Sequence, residues 1–138
     1  ELFLYWDFTF NCPVYQVTIF QNYNLLELSQ NDIDKRSTIY RTFLTHTEKF
    51  ISSLLQEGSF NNDRSIYHND SFAIVTKHQR GRPVGSWQMC LLVQNKKMIT
   101  QYSDIIALYA LMRNKSYKQA IHVLSDYIEQ SKNIFTAS

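Results

Sequence analysis

Histidine, cysteine and the carboxylates carry most covalent and metal chemistry, and in this chain they are scattered. His46, His68, His78 and His122 share no ligand spacing, and only His68-Asn69-Asp70 sets two metal-ligating types close together. A structural or catalytic metal needs three or four such ligands. The third is missing at motif spacing, so this stretch reads as a polar loop, and no metal or cofactor is expected. Cys12 stands beside Pro13 in what reads as an exposed turn. Cys90 lies within the apolar run WQMCLLV and is expected to be buried. A thiol becomes a nucleophile when a neighbouring cation or base lowers its pKa, and apolar surroundings do the opposite. Two cysteines build neither a disulfide framework nor a metal quartet. The Gly-x-Ser-x-Gly elbow is also absent. No catalytic residues are assigned, and the expectation leans away from an enzyme.

Binding chemistry is better represented. Residues 71–103 contain no Asp or Glu but include Lys77, Arg80, Arg82, Lys96 and Lys97. Such a stretch can neutralise phosphates. At its centre, Arg80-Gly81-Arg82-Pro83 resembles the core of the AT-hook, a peptide that lies in the DNA minor groove. The resemblance implies DNA contacts by Arg80 and Arg82. The same residues sit between two strand-like runs, so they are expected to form a hairpin tip. A strand of about eight residues spans roughly 26 Å. Lys96 and Lys97 would then lie far from the tip, as a stripe along a duplex rather than one pocket.

Three further resemblances are local. LLVQNK, with Gln94 and Lys96 and with Asp70 upstream, resembles the end of a core strand in PD-(D/E)xK nucleases, although Asp70 is not on the preceding strand. That resemblance implies metal-dependent nucleic-acid cleavage through Lys96. FTFNCPVYQVTIF, followed by Asp32-Ile33, resembles a strand pair of the autophagy E2-like enzymes, whose His-Pro-Cys motif this chain lacks. LYALMRNKSYKQAIHVLSDYIE resembles one tetratricopeptide unit in the spacing of Tyr117 and Ala120, and one unit cannot stack into a solenoid. None of these covers the chain with specific motifs.

The elements that would position these residues follow from periodicity. LFLYWDFTF, residues 2–10, alternates with Leu2, Leu4, Trp6, Phe8 and Phe10 on the more apolar side. After the turn at Asn11-Cys12-Pro13, a second strand is expected over 14–20, making an antiparallel hairpin. Asn31 or Asp32 can cap a long amphipathic helix that runs to Gly58. SFNNDRSIYHND, residues 59–70, reads as a polar loop. Strands are expected over 71–77 and 87–93. Residues 98–112 are ambiguous between a strand over 99–109 and a short helix after Ser103. A last helix is expected over 116–132, carrying Tyr117, Ala120, Ile121, Leu124, Tyr127 and Ile128 on one stripe.

These elements predict an α+β fold. An antiparallel sheet of four or five strands would be covered by two main helices, in the order ββα-ββ(β)-α. The length of 138 residues fits a single domain over 1–138, and the start at Glu1 without a Met points to a fragment of a longer chain. The 44% hydrophobic and 14% aromatic content argues for a packed core rather than disorder. Reduced thiols and the lack of a membrane-length apolar run predict an intracellular protein of the cytoplasm or nucleus, with no membrane partner. With no catalytic set and abundant aromatics, the leading expectation is a non-catalytic protein-interaction domain. Its partner would be another protein subunit or a second copy, bound through Phe3, Tyr5, Tyr15 and Ile19 of the first hairpin. The alternative is a nucleic-acid-binding module using Lys77, Arg80, Arg82, Lys96 and Lys97.

Overall fold

The computed structural model describes residues 2–17 and 27–136. Ile19 and the rest of the expected second strand beyond Val17 lie outside them. The chain divides into two compact units, Glu1–Asn22 with Phe60–Ser103, and Tyr23–Ser59 with Asp104–Ser138.

The strands are β1 (Leu2–Asp7), β2 (Cys12–Gln16), β3 (Ser59–Phe60), β4 (Ile66–His68), β5 (Phe72–Val75), β6 (Trp87–Val93) and β7 (Lys96–Tyr102). They form one seven-stranded sheet in the order β1-β2-β7-β6-β5-β4-β3. β2 runs parallel to β7, pairing Val14 with Lys97 and Gln16 with Ile99, while β1–β2, β4–β5, β5–β6 and β6–β7 are antiparallel. The expected four- or five-stranded antiparallel sheet with two helices is therefore wrong. The sheet is mixed, and five helices accompany it. A parallel pair needs a long crossover and leaves no local turn signal. Here that crossover holds everything from α1 to β6, so residue alternation could not reveal it.

Two smaller corrections have local causes. Residues 59–70 form a short hairpin rather than a loop. The Asn61 side chain accepts from the Ile66 N–H at 3.0 Å, and Asp63 accepts from the Ser65 N–H and hydroxyl at 3.1 and 2.6 Å. Side chains thus satisfy the turn backbone, and Tyr67 is left buried in the ladder with its ring against Phe60. Pro13 lies inside β2 opposite Trp6, one residue before the pairing with β7 begins at Val14, so its missing N–H costs no bond to β7.

One face of the sheet is buried through two cross-strand rows. Phe72, Met89 and Thr100 form one row, and Ile74 and Trp87 lie in the next, where Tyr102 opposite Trp87 remains exposed. Within this face the Thr100 hydroxyl is the one buried side-chain polar atom, among the described residues, without a hydrogen-bond partner.

The second unit holds α1 (Gln30–Thr45), α2 (Thr47–Leu54), α3 (Ile105–Met112), α4 (Tyr117–Gln130) and α5 (Lys132–Thr136). The cap of α1 is Ser29, not Asn31 or Asp32. Ser29 and Asp32 form a reciprocal capping box. The long helix breaks at His46, where the Thr47 hydroxyl bonds back to the Phe43 carbonyl at 2.8 Å. The ambiguous stretch is both candidates in series: β7 ends at Tyr102, and Asp104 then caps α3 through the N–H groups of Ile106 and Ala107. α3 buries Ile105, Ile106, Ala107, Leu108 and Ala110. A helix apolar nearly all round carries no 3.6-residue stripe to read.

A polar junction ties α1, α3 and α4. The Tyr117 hydroxyl donates to Asp104 Oδ2 at 2.6 Å, accepts from Arg36 Nε at 2.8 Å and lies 3.3 Å from the Tyr40 hydroxyl. Asp104 thereby caps α3 with one oxygen and anchors α4 with the other. Burial, then the Asp104 charge, pushes the Tyr117 pKa up to about 12 and the Tyr40 pKa up as well, so both phenols stay neutral donors. Arg113 makes a bidentate pair with Glu57 at 2.8 and 2.9 Å and also bonds the Leu54 carbonyl, joining the ends of α2 and α3.

Two substitutions test this packing by urea unfolding. Tyr117→Phe leaves Asp104 and Arg36 short of a partner and should cost about 2 kcal/mol. Thr100→Val removes the orphan hydroxyl at nearly constant shape and should stabilise by about 1 kcal/mol. Unchanged stability in the first, or a loss in the second, would contradict these assignments.

Candidate functional site

The most unusual surface is the outer end of the sheet. β1 is an edge strand, and Leu2, Phe3, Leu4, Tyr5 and Trp6 are all exposed, so both of its faces are open. Asp7 is its one charged residue and is committed to Lys97 at 2.8 Å. The hydrogen bond from Lys97 holds the Asp7 carboxyl below its usual range, and Asp7 in turn raises the Lys97 ammonium. The turn after β1 carries Phe8 and Phe10, with Phe8 87% exposed. The β6–β7 turn lies at the same end, because Val14 pairs with Lys97 and Val93 with Lys96. The end of β6 beside it adds exposed Leu91, Val93 and Leu92, the last 68% exposed.

Of the four residues assigned to partner binding, the structure brings two together. Phe3 on β1 lies opposite Tyr15 on β2, with the rings edge-on at 5.7 Å, whereas the register shift after Phe3 places Tyr5 opposite Val14, on the other face. Ile19 is outside the described residues. Phe8, Phe10 and Leu92 were not singled out as binding residues. The signal for the first two was the even-numbered apolar series, which continues past the strand at Phe8 and Phe10. Nothing local marked Leu92.

The basic residues are dispersed. Lys77 donates to the Asp63 carbonyl at 2.8 Å, Lys97 holds Asp7 and covers the Phe10 ring at 3.7 Å, and Lys96 lies over the Tyr15 ring at 5.3 Å. Arg80 and Arg82 occupy the opposite end of β6. Seven residues of strand, roughly 20 Å, separate them from Lys96 and Lys97. The tip itself is a tight turn: Gln79 and Arg82 exchange backbone bonds at 2.8 and 3.2 Å, with Gly81 at φ +74°. Gln94 and Asn95, with φ of 50° and 63°, form the two-residue β6–β7 turn. Gln94 and Lys96 therefore do not share a strand end, and the nuclease-like arrangement does not form. Among the described residues, no three His, Cys, Asp or Glu side chains gather as a metal site. The cysteines are the reverse of the expectation: Cys12 is buried, and Cys90 is partly exposed. Cys12 lies inside β2 opposite Asp7 and on the same face as buried Val14, whereas Cys90 points away from the Trp87–Met89 face.

Under the arginine tip lies a cleft of about 440 Å³. Ile66, Ala73 and Pro83 form apolar walls, Gln88 and Gln101 lie on its floor, and Arg82 and Tyr102 border it. The two glutamines are cross-strand partners, and Gln101 Nε2 donates to Gln88 Oε1 at 3.2 Å. Thirteen positions apart in sequence, they meet only through the β6–β7 register.

In the helical unit the carboxylate of Asp32 is 2% exposed and lies 2.8 Å from His122 Nε2, with Lys118 at 3.6 Å. An ionised carboxylate only accepts, so His122 presents its Nε2 proton to it. Burial raises the Asp32 pKa, but the Ser29 N–H, His122, the Ser29 hydroxyl and Lys118 outweigh burial and bring it down to about 2. The pair bridges α1 and α4. No nucleophile stands in hydrogen-bond reach of His122 among the described residues, so the arrangement serves packing rather than acyl transfer. The sign of its pH dependence follows from the lowered pKa. Its stabilisation is full above pH 3.8 and is lost as pH falls towards about 2. Unfolding midpoints of wild type and Asp32→Asn should therefore differ at neutral pH and converge across that window. A difference that stays constant down to pH 2 would refute the assignment.

Among the described residues, no helix is long and apolar enough to cross a membrane. No family model, curated protein or solved structure matches the chain.

Proposed function

We propose that the protein is a non-catalytic interaction domain, working as a subunit or fragment of a multi-protein assembly. Its docking surface is the β1 edge together with the apolar end of the sheet. The observation that supports this most is the exposure of the whole of β1 from Leu2 to Trp6 at the edge of the sheet. Edge strands are usually guarded by charge, proline or a covering element. Leu2–Trp6 carries no charge and no proline, and its one protective irregularity is a register shift between Phe3 and Tyr5. Contiguous exposed apolar surface of this kind marks a contact with another macromolecule. Aromatics suit that role, because they bury large areas at small entropic cost.

The partner is another protein chain or a second copy. It adds a strand to β1 and covers Phe8, Phe10 and Leu92, while Phe3, Tyr5 and Tyr15 supply side-chain anchors. The five-lysine-and-arginine surface of the nucleic-acid alternative gains less support, since Lys97 is neutralised by Asp7 and the two ends of β6 hold the charges apart.

Light scattering across a concentration series tests the reading on the full chain. Wild type should associate, or bind a hydrophobic dye strongly. The combination of Tyr5→Lys and Phe8→Ser should lower both signals while leaving the thermal midpoint within a degree or two. A wild-type chain that stays monomeric at high concentration and binds no dye would overturn it.

A further inference from the structure

The cleft beneath the Arg80-Gly81-Arg82-Pro83 tip is independent of the apolar end, and its chemistry differs. Its size, about 440 Å³, is that of a small-molecule site. No carboxylate lines it, and all but one of its lining residues come from the acid-free stretch 71–103. Arg82 has no ion-pair partner among the described residues, and the short turn closed by Gln79 and Arg82 holds its backbone at the rim. The occupant that this electrostatic setting favours is anionic.

The floor narrows the choice. Gln101 gives one amide proton to the Oε1 of Gln88. This bond holds the two carboxamides together. It leaves Gln101 Oε1 and Gln88 Nε2, an acceptor and a donor, without partners among the described residues. An acceptor beside a donor complements the edge of a nucleobase, as a glutamine amide does when it reads adenine. Apolar walls from Ile66, Ala73 and Pro83 suit the base. From the juxtaposition of Arg82 with the Gln88–Gln101 amide pair in one cleft, we infer that this site binds a nucleotide unit. Its phosphate lies on Arg82 and its base edge on the two glutamines. The unit is either a free nucleotide or one residue of a single-stranded nucleic acid. Only Arg82 among the five basic residues takes part, so the separation of Lys96 and Lys97 from the tip does not bear on it.

Trp87 borders the cleft and is buried, which makes it an internal reporter. In a Trp6→Phe background the full chain holds a single tryptophan, since the sequence has two. Its fluorescence is followed while adenosine monophosphate, a single-stranded oligoadenylate hexamer and an acidic hexapeptide are each titrated in. Saturable quenching by either nucleotide probe supports the inference. Quenching by the monophosphate assigns a free nucleotide, and quenching by the hexamer alone assigns single-stranded nucleic acid. Arg82→Ala and the pair Gln88→Leu and Gln101→Leu should each weaken binding about tenfold or more. Lys96→Ala should leave it unchanged. Thermal unfolding of each variant checks that the fold persists, and Arg82 is exposed, so its removal leaves the core intact. Three results would each overturn the inference: no quenching by either nucleotide probe, equal binding in Arg82→Ala, or tighter binding of the acidic peptide.

Discussion

The β6–β7 ladder is the constraint on which the sheet unit rests. Seven residue pairs, Trp87 with Tyr102 through Val93 with Lys96, are set in register by the two-residue turn at Gln94 and Asn95. Side chains alternate between faces, so a slip of one residue would move every one of them to the wrong side. In the observed register Trp87 and Met89 are buried, and Gln88 meets Gln101 on the opposite face. β7 then offers its other edge to β2 in parallel, and β2 carries β1. The apolar end of the sheet and the cleft are thus both consequences of one hairpin, placed at its two ends.

The helical unit is organised differently. Its core is apolar, with Ile39, Phe43, Ile51, Ile106, Leu108, Ile121 and Leu124 all buried. Its helix ends are tied by polar groups that each serve twice. Asp104 caps α3 and receives the Tyr117 hydroxyl, and Asp32 completes the Ser29 capping box and receives His122. A carboxylate that satisfies orphan backbone N–H groups and also joins two helices fixes helix position as well as helix length. Among the described residues neither carboxylate faces a nucleophile or a metal ligand set, and both serve as structural ties.

Residue patterns made some of this legible. The run 87–93 is β6 residue for residue, and α4 begins at Tyr117, within the helix expected over 116–132. Alternation in residues 2–10 revealed β1 but not its position at an edge, because sheet order is set by long-range pairing. The parallel β2–β7 contact has no local signature at all. Asn61 and Asp63 made 59–70 look like a loop, since turn-forming residues dominate a hairpin whose strands are only two and three residues long. For the candidate sites the same division holds. Phe3, Tyr5 and Tyr15 were visible as a hydrophobic hairpin. The joining of Gln88 to Gln101, and of Phe8 to Leu92 at one end of the sheet, required the register.

Under the proposed function, another chain covers the β1 edge in the working protein. Hydrogen–deuterium exchange of the outward-facing amides of Leu2–Trp6, measured across a wide concentration range, tests it most directly. These amides should exchange quickly in dilute solution and gain protection as concentration rises, while those of β6 stay protected throughout. Free exchange along β1 at every concentration, with no change at Phe8, Phe10 or Leu92, would contradict it.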